Sequence, residues 1–238
     1  MEAGDRDVEL HPLRRDARRV APCAVDTSQL ASLYTGPMLL AAPRSLVLPA
    51  HNYRRERWKN GAGWTREIVR WPEGGDWDWR LSIAEIEQDA PFSRFDGIER
   101  ELVLLSGHGV RLRFDDGRCV QLEPPHGRLR FAGEDGVQGE LVDGPTQDFN
   151  LMWRRAAVDA QLWHRPLVGP MVIFAEPGSI WVLHLLAGNA RFADQSRLPD
   201  LSAGDTALFV AGPERLRHVV DGAGEALLIR LQPAGAAT

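Results

Sequence analysis

The segment WDWRLSIAEI, residues 77–86, alternates apolar and polar positions with a period of two. Trp77, Trp79, Leu81 and Ile83 fall on one face, and Asp78, Arg80, Ser82 and Ala84 on the other, the mark of a strand with one apolar side. In DFNLMWRR (148–155) the same rule puts Asp148, Asn150, Met152 and Arg154 on one face and Phe149, Leu151 and Trp153 on the opposite one. ELVLLSGHGVRLRF (101–114) reads as two strands around a Ser-Gly-His-Gly turn. CVQLEP, RLRFAG and GELVDG continue the series, which resumes after residue 156 with MVIFAEPG, SIWVLHLLAGNARF, DTALFVAG and EALLIRLQP. Helical periodicity is nearly absent; only 28–34 and 156–162 offer room for a turn or two of helix.

The series contains a repeat. LEPPHGRLRFAG (122–133) aligns without a gap to LSAGDTALFVAG (201–212), and LVLLSGHGVRLRF lies against VLHLLAGNARF, both at a separation of about 80 residues. Two copies of a unit of short antiparallel strands predict an all-β chain of two jelly-roll barrels in tandem, since closure or packing on a twin removes exposed sheet edges. The layout resembles the cupins, and its duplication a bicupin. The expected division is a basic, disordered extension over 1–43, a first cupin with a ligand pocket over 44–156, and a second cupin-like half over 157–238. Met38 is an alternative start of translation, because MLLAAPRSLVLPAHNYR reads as the opening of a folded domain.

Composition narrows the picture. The 238 residues are 44% apolar and 26% charged, ample for a core, and the net charge of −5 gives no footprint for nucleic acid or an anionic membrane. An anion site must therefore work locally against the global sign. Cys23 and Cys119 form no CxxC pair, which suits a reducing cytoplasm, and no apolar run approaches the length of a membrane helix. Enzymatic cupins hold a metal through an HxH motif, a glutamate and a later histidine. None of the seven histidines forms HxH, and Ala207 stands where the later histidine belongs, so neither a metal nor any other cofactor is expected. Sheet edges leave room for a homodimer.

WKNGAGWTREI, WRLSIAEIEQDAPFSRFDGIERELVLLSGHG and GPTQDFNLMWRR resemble the three signature blocks of the HutD/Ves family of small bicupins. One departure is Ala62 in place of the middle glycine of three, which leaves Gly61 and Gly63 to take up left-handed backbone. The resemblance implies a non-catalytic protein that binds a small organic acid, urocanate or N-formylglutamate, and so restrains histidine catabolism. Arg66 then offers a planar fork for a carboxylate and Lys59 a point charge. Gly61 and Gly63 let backbone N–H groups approach an anion, with Asn60 and Thr65 beside them. Arg80, Asp148, Asn150 and Met152 form a second wall, and Phe92 a lid aromatic for a flat ligand.

The alternative is a metal-free cupin enzyme, an isomerase, hydrolase or lyase on a similar acid, with Glu67, Asp148 or His108 as general acid or base. Other residues read as structural. Trp58 and Trp64 are packing residues with local acceptors for their ring N–H groups, His108 is an exposed hairpin tip, and His184 is a satisfied core histidine.

Overall fold

The computed structural model describes residues 45–73, 75–193 and 196–236. The basic extension, the Met38 start, the helical turn at 28–34 and Cys23 lie outside the described residues. The all-β expectation holds: these residues contain no α-helix and sixteen strands.

The chain opens with β1 (Leu46–Leu48), β2 (Arg54–Arg57), β3 (Gly63–Trp71), β4 (Trp79–Ile86), β5 (Ala90–Pro91) and β6 (Ile98–Ser106). It continues through β7 (Val110–Phe114), β8 (Cys119–Leu122), β9 (Arg128–Ala132), β10 (Val137–Leu141) and β11 (Thr146–Arg154). The remainder is β12 (Val158–Ala175), β13 (Ile180–Phe192), β14 (Leu201–Ser202), β15 (Thr206–Val210) and β16 (Leu216–Pro233). Residues 155–157 form a turn that leads straight into β12, where Val158, Ala160 and Leu162 are buried and their neighbours are not. That period of two excludes the helical turn expected at 156–162.

Three antiparallel sheets result. A central sheet runs β2-β3-β4-β11-β6-β9, a small one β5-β10-β7-β8, and a carboxy-terminal one β1-β15-β13-β16-β12 with β14 on β13. The central sheet contributes to a core on each face. Leu81, Ile83, Phe149, Leu151 and Trp153 share a core with Val182, Leu208, Leu227 and Ile229 of the carboxy-terminal sheet. On its other face Leu102 and Leu104 pack with Val110, Leu112, Phe114 and Val137 of the small sheet. The carboxy-terminal sheet closes a third core of its own around Leu183, Leu185, Phe209 and Val220.

One strand pairs across the expected division between 44–156 and 157–238. β1 pairs with β15, Leu46 opposite Leu208, so the start of the first half completes the sheet of the second. Its buried Val47 and Leu48 give the reason, since each enters a core to which the carboxy-terminal sheet contributes. Tyr53 secures this crossing. Its hydroxyl lies 2.7 Å from Thr206 Oγ1 and 2.7 Å from the Gly204 carbonyl, and Thr206 Oγ1 is 2.9 Å from His184 Nδ1. His184 is thus the satisfied core histidine its apolar strand implied.

Removing the Tyr53 hydroxyl strands polar groups in that chain. Tyr53→Phe should cost about 1–3 kcal/mol in urea denaturation, the range for a buried group left unsatisfied. A loss below about 0.3 kcal/mol contradicts a structural role for this contact.

Candidate functional site

Register builds the site. On the face of the central sheet turned to the small sheet, Met152 stands opposite Arg80 on β4 and Arg100 on β6, and Arg100 opposite Phe131 on β9. The next row is Glu67, Ser82, Asn150 and Leu102, and the one after it Thr65, Ala84, Asp148 and Leu104. Thr65, Arg80, Ser82, Ala84, Asn150 and Met152 of these rows floor a cavity of about 550 Å³, a size suited to a small ligand. Buried Ser82, Arg100, Leu102, Asn150 and Met152 lie at its base, exposed Arg57, Lys59 and Asn60 at its rim, and Phe92 and Phe95 along one side.

The cations differ in what they hold. Arg80 Nε lies 2.8 Å from Glu67 Oε2, and the second oxygen of Glu67 takes Arg70 at 2.8 Å. Arg57 pairs with Glu87 at 2.8 Å. Arg100 is 6% exposed and has no carboxylate partner among the described residues. Its guanidinium reaches only the Ser93 carbonyl, at 3.4 Å, and its Nε has no hydrogen-bond partner. Phe131 and Phe92 ring centroids stand 5.1 and 5.2 Å away, a partial substitute for water. Burial, reinforced by the charge of Arg80, lowers its pKa to about 10, so it stays charged at neutral pH.

Of the residues expected to contact a ligand, Lys59, Asn60, Thr65, Arg80, Phe92, Asn150 and Met152 line this cavity. Asn60 Oδ1 accepts from the Ala62 N–H at 3.1 Å, which leaves its amide NH₂ for the rim. Thr65 Oγ1 accepts from the Trp58 ring N–H at 2.8 Å, and Trp58, expected only to pack, lines the cavity as well.

Arg66 is a correction. It lies on the face opposite Thr65, level with Ile83, where Glu85 Oε1 is 2.8 Å from its Nε and Gln147 Oε1 is 3.3 Å from its Nη2. An internal acid holds the guanidinium away from the cavity. Gly63 is a second correction: its φ is not positive, and a Cβ there would collide with the Glu85 carbonyl oxygen. Close strand packing, not anion approach, demands that glycine. Gly61 does adopt φ +73, as a turn residue beyond the cavity wall, and Ala62 fits because it needs no left-handed backbone.

Asp148 lies on the cavity-side face but is fully buried and outside the cavity wall. Thr146 Oγ1 donates to its Oδ2 at 2.8 Å, while Oδ1 has no partner among the described residues. Burial pushes its pKa up to about 7, against the opposing pull of that hydrogen bond. Asn150 Oδ1 is likewise without a partner. Orphaned polar atoms on Asp148, Asn150 and Arg100 therefore mark one face of two adjacent strands, where a natural core would normally satisfy each. Arg100 and Phe95 stand on the sequence where a cupin would place metal ligands, but neither was among the expected ligand contacts; a further signal is the alternation of Arg100 with Leu102 and Leu104.

Two buried groups set opposite pH slopes. Asp148 keeps its proton in the fold up to about pH 7 against an ordinary value of 3.8, so its contribution to stability is present below 3.8 and lost as pH rises toward 7. Burial lowers His184 from 6.5 to about 4, so its contribution is present above 6.5 and lost as pH falls toward 4. The slopes oppose each other in between. Denaturation of Asp148→Asn should show stability rising to about pH 6.5 and then levelling, whereas the parent is flatter and declines toward pH 8. Parallel curves contradict a protonated Asp148.

The HutD family model matches residues 50–228. An uncharacterised 21.2 kDa protein from the hutC 3′ region of Pseudomonas putida is 42% identical over 118 residues, 49% of this chain and 62% of that protein. Protein Ves of Cronobacter sakazakii is 41% identical over 106 residues, 44% of this chain and 58% of that protein. The chain thus spans about 60% of the length of these curated relatives. The crystal structure of HutD from Pseudomonas fluorescens SBW25, in a formate condition, superposes with a TM-score of 0.70 at 29% identity, covering 80% of this chain and 100% of that one. Escherichia coli protein YlbA shares the fold alone, with a TM-score of 0.65 at 11% identity over 87% of this chain and 98% of that one. The architecture is cupin-like, and the chain belongs to the HutD family.

Proposed function

We propose that this chain binds a small organic acid in the cavity between its central and small sheets and acts as a non-catalytic restraint on histidine catabolism. The layout fits two cupin-like halves in tandem, with the ligand in the first. One observation carries the reading: Arg100 is a buried guanidinium at the cavity base with no acid of its own among the described residues. A buried unpaired charge is costly, and a ligand carboxylate on the planar fork of Arg100 removes that cost. Arg80 adds a second positive field, Asn150 has an acceptor free for a polar N–H, and Phe92 and Phe95 flank the space for a flat or extended body. Asp148 holds its proton to about pH 7 and so does not repel an anion.

Urocanate and N-formylglutamate suit these features, and the link of the family to the histidine-utilisation region favours them. Acid–base chemistry has weaker support. Glu67 is held by two arginines, Asp148 lies outside the cavity wall, and His108 is an exposed hairpin tip, its Nδ1 3.0 Å from the Asp143 carbonyl.

Calorimetry of the full chain with urocanate and with N-formylglutamate should give micromolar binding of at least one. Arg100→Met should weaken it by at least about thirtyfold, from a cost of about 2–5 kcal/mol for a buried charge partner. The same variant, relieved of an unpaired charge, should be as stable as the parent or more so. Arg66→Ala should bind within about threefold of the parent, because Arg66 lies on the other face. Undiminished binding by folded Arg100→Met, or no binding of either acid by the parent, overturns the reading.

A further inference from the structure

Three residues remote in sequence meet outside the cavity. His126 lies between β8 and β9, His164 on β12 and Glu225 on β16. His126 Nε2 is 3.1 Å and His164 Nε2 3.0 Å from the same oxygen, Glu225 Oε2. All three candidate ligand atoms lie within 4.8 Å of one another, and the two imidazole centroids are 4.6 Å apart.

Topology explains the meeting. His164 and Glu225 sit diagonally on paired strands, His164 opposite Leu227 and Pro166 opposite Glu225, so both occupy the face that carries Leu162 and Ile229 into the shared core. His126 approaches from the first half. Its side chain is mostly buried, while Glu225 is about half exposed and leaves the site open to solvent. The cluster stands at the margin of the contact between the two halves.

The second nitrogen of His126 decides what the cluster suits. Its Nδ1 lies 3.3 Å from the Leu104 carbonyl, an acceptor only, so the N–H of Nδ1 has a fixed partner when Nε2 gives its lone pair to a metal in place of its hydrogen bond to Glu225. That arrangement is the one metal-bound histidines adopt, with the far N–H fixed on a backbone carbonyl. Tetrahedral zinc with bonds of about 2.0–2.2 Å sets its ligand atoms about 3.3–3.6 Å apart; the two nitrogen–oxygen distances here are 3.1 and 3.0 Å, and the third separation is within 4.8 Å. Arg128, the cation on the adjoining strand, is occupied by Glu101 at 3.6 Å and by the Leu162 carbonyl at 2.9 Å.

We infer that His126, His164 and Glu225 form a site for a divalent transition metal of the zinc type, bridging the two halves of the chain at its surface. Two imidazoles and one carboxylate leave a coordination position for water, and the ligand set favours zinc over magnesium. The site is separate from the acid-binding cavity, none of whose lining residues it shares.

The test uses the untagged full chain in a Cys119→Ser background, which removes the exposed thiol as a competing ligand. Titration of zinc chloride into the chelator-treated protein should give one saturable equivalent, and magnesium none. His126→Asn tolerates the left-handed φ of +57 at that position, and His164→Gln and Glu225→Gln change surface side chains, so all three should melt like the parent without metal. Loss of a metal-binding histidine's hydrogen-bond partner alone costs about 10–100-fold in affinity, so loss of either histidine should weaken zinc binding by at least about a hundredfold. Zinc should raise the melting temperature of the parent and leave both histidine variants unmoved. Absence of a saturable equivalent, or an equivalent retained by both histidine variants, overturns the inference.

Discussion

Everything in this molecule hangs on a sheet that has no solvent face to spare. Strands β4 and β11 are buried on both sides: Leu81, Ile83, Phe149 and Leu151 lock into the core shared with the carboxy-terminal sheet. Side chains alternate strictly along a strand, so this packing forces Arg80, Ser82, Asn150 and Met152 onto the opposite side. A register slip of one residue would exchange the two sets and put arginine into the core. The cavity is therefore a consequence of the core, not an addition to it.

The same constraint explains the electrostatics. The chain is net acidic, yet the carboxylates around the central sheet are already engaged. Glu67 holds Arg70 and Arg80, Glu85 holds Arg55 and Arg66, and Glu101 holds Arg130 at 3.0 Å and Arg128 at 3.6 Å. Arg100 lies between Glu99 and Glu101, but alternation sends both of these to the other side of the sheet. What reaches Arg100 among the described residues is the Ser93 carbonyl, three phenylalanine rings and the field of Arg80. A local positive site in an acidic protein arises because its neighbours have been spoken for.

Much of this was legible in the sequence, for particular reasons. The alternation in WDWRLSIAEI and DFNLMWRR places Arg80, Ser82, Asn150 and Met152 together before any coordinates, because apolar residues name the core side unambiguously. No such guide exists in GWTREI. Thr65, Arg66 and Glu67 are all polar, so the pattern is silent on which of them faces the cavity, and the fork-shaped side chain drew the assignment to Arg66. Arg100 sits between Glu99 and Glu101 in the sequence, and only the fold surrounds it with the rings of Phe92, Phe95 and Phe131 as a buried cation. The crossing of β1 depends on a pairing across more than half the chain, and Glu225 meets His164 and His126 from 61 and 99 residues away. Short-range patterns do not encode these.

The central claim is that Arg100 grips an anion at the base of the cavity. Crystals of this protein soaked with urocanate address it most directly. The account predicts a carboxylate within hydrogen-bond distance of the Arg100 guanidinium, with the ring of the ligand against Phe92 or Phe95. Density that settles beside Arg66, or at the outer rim with Arg100 untouched, would contradict it.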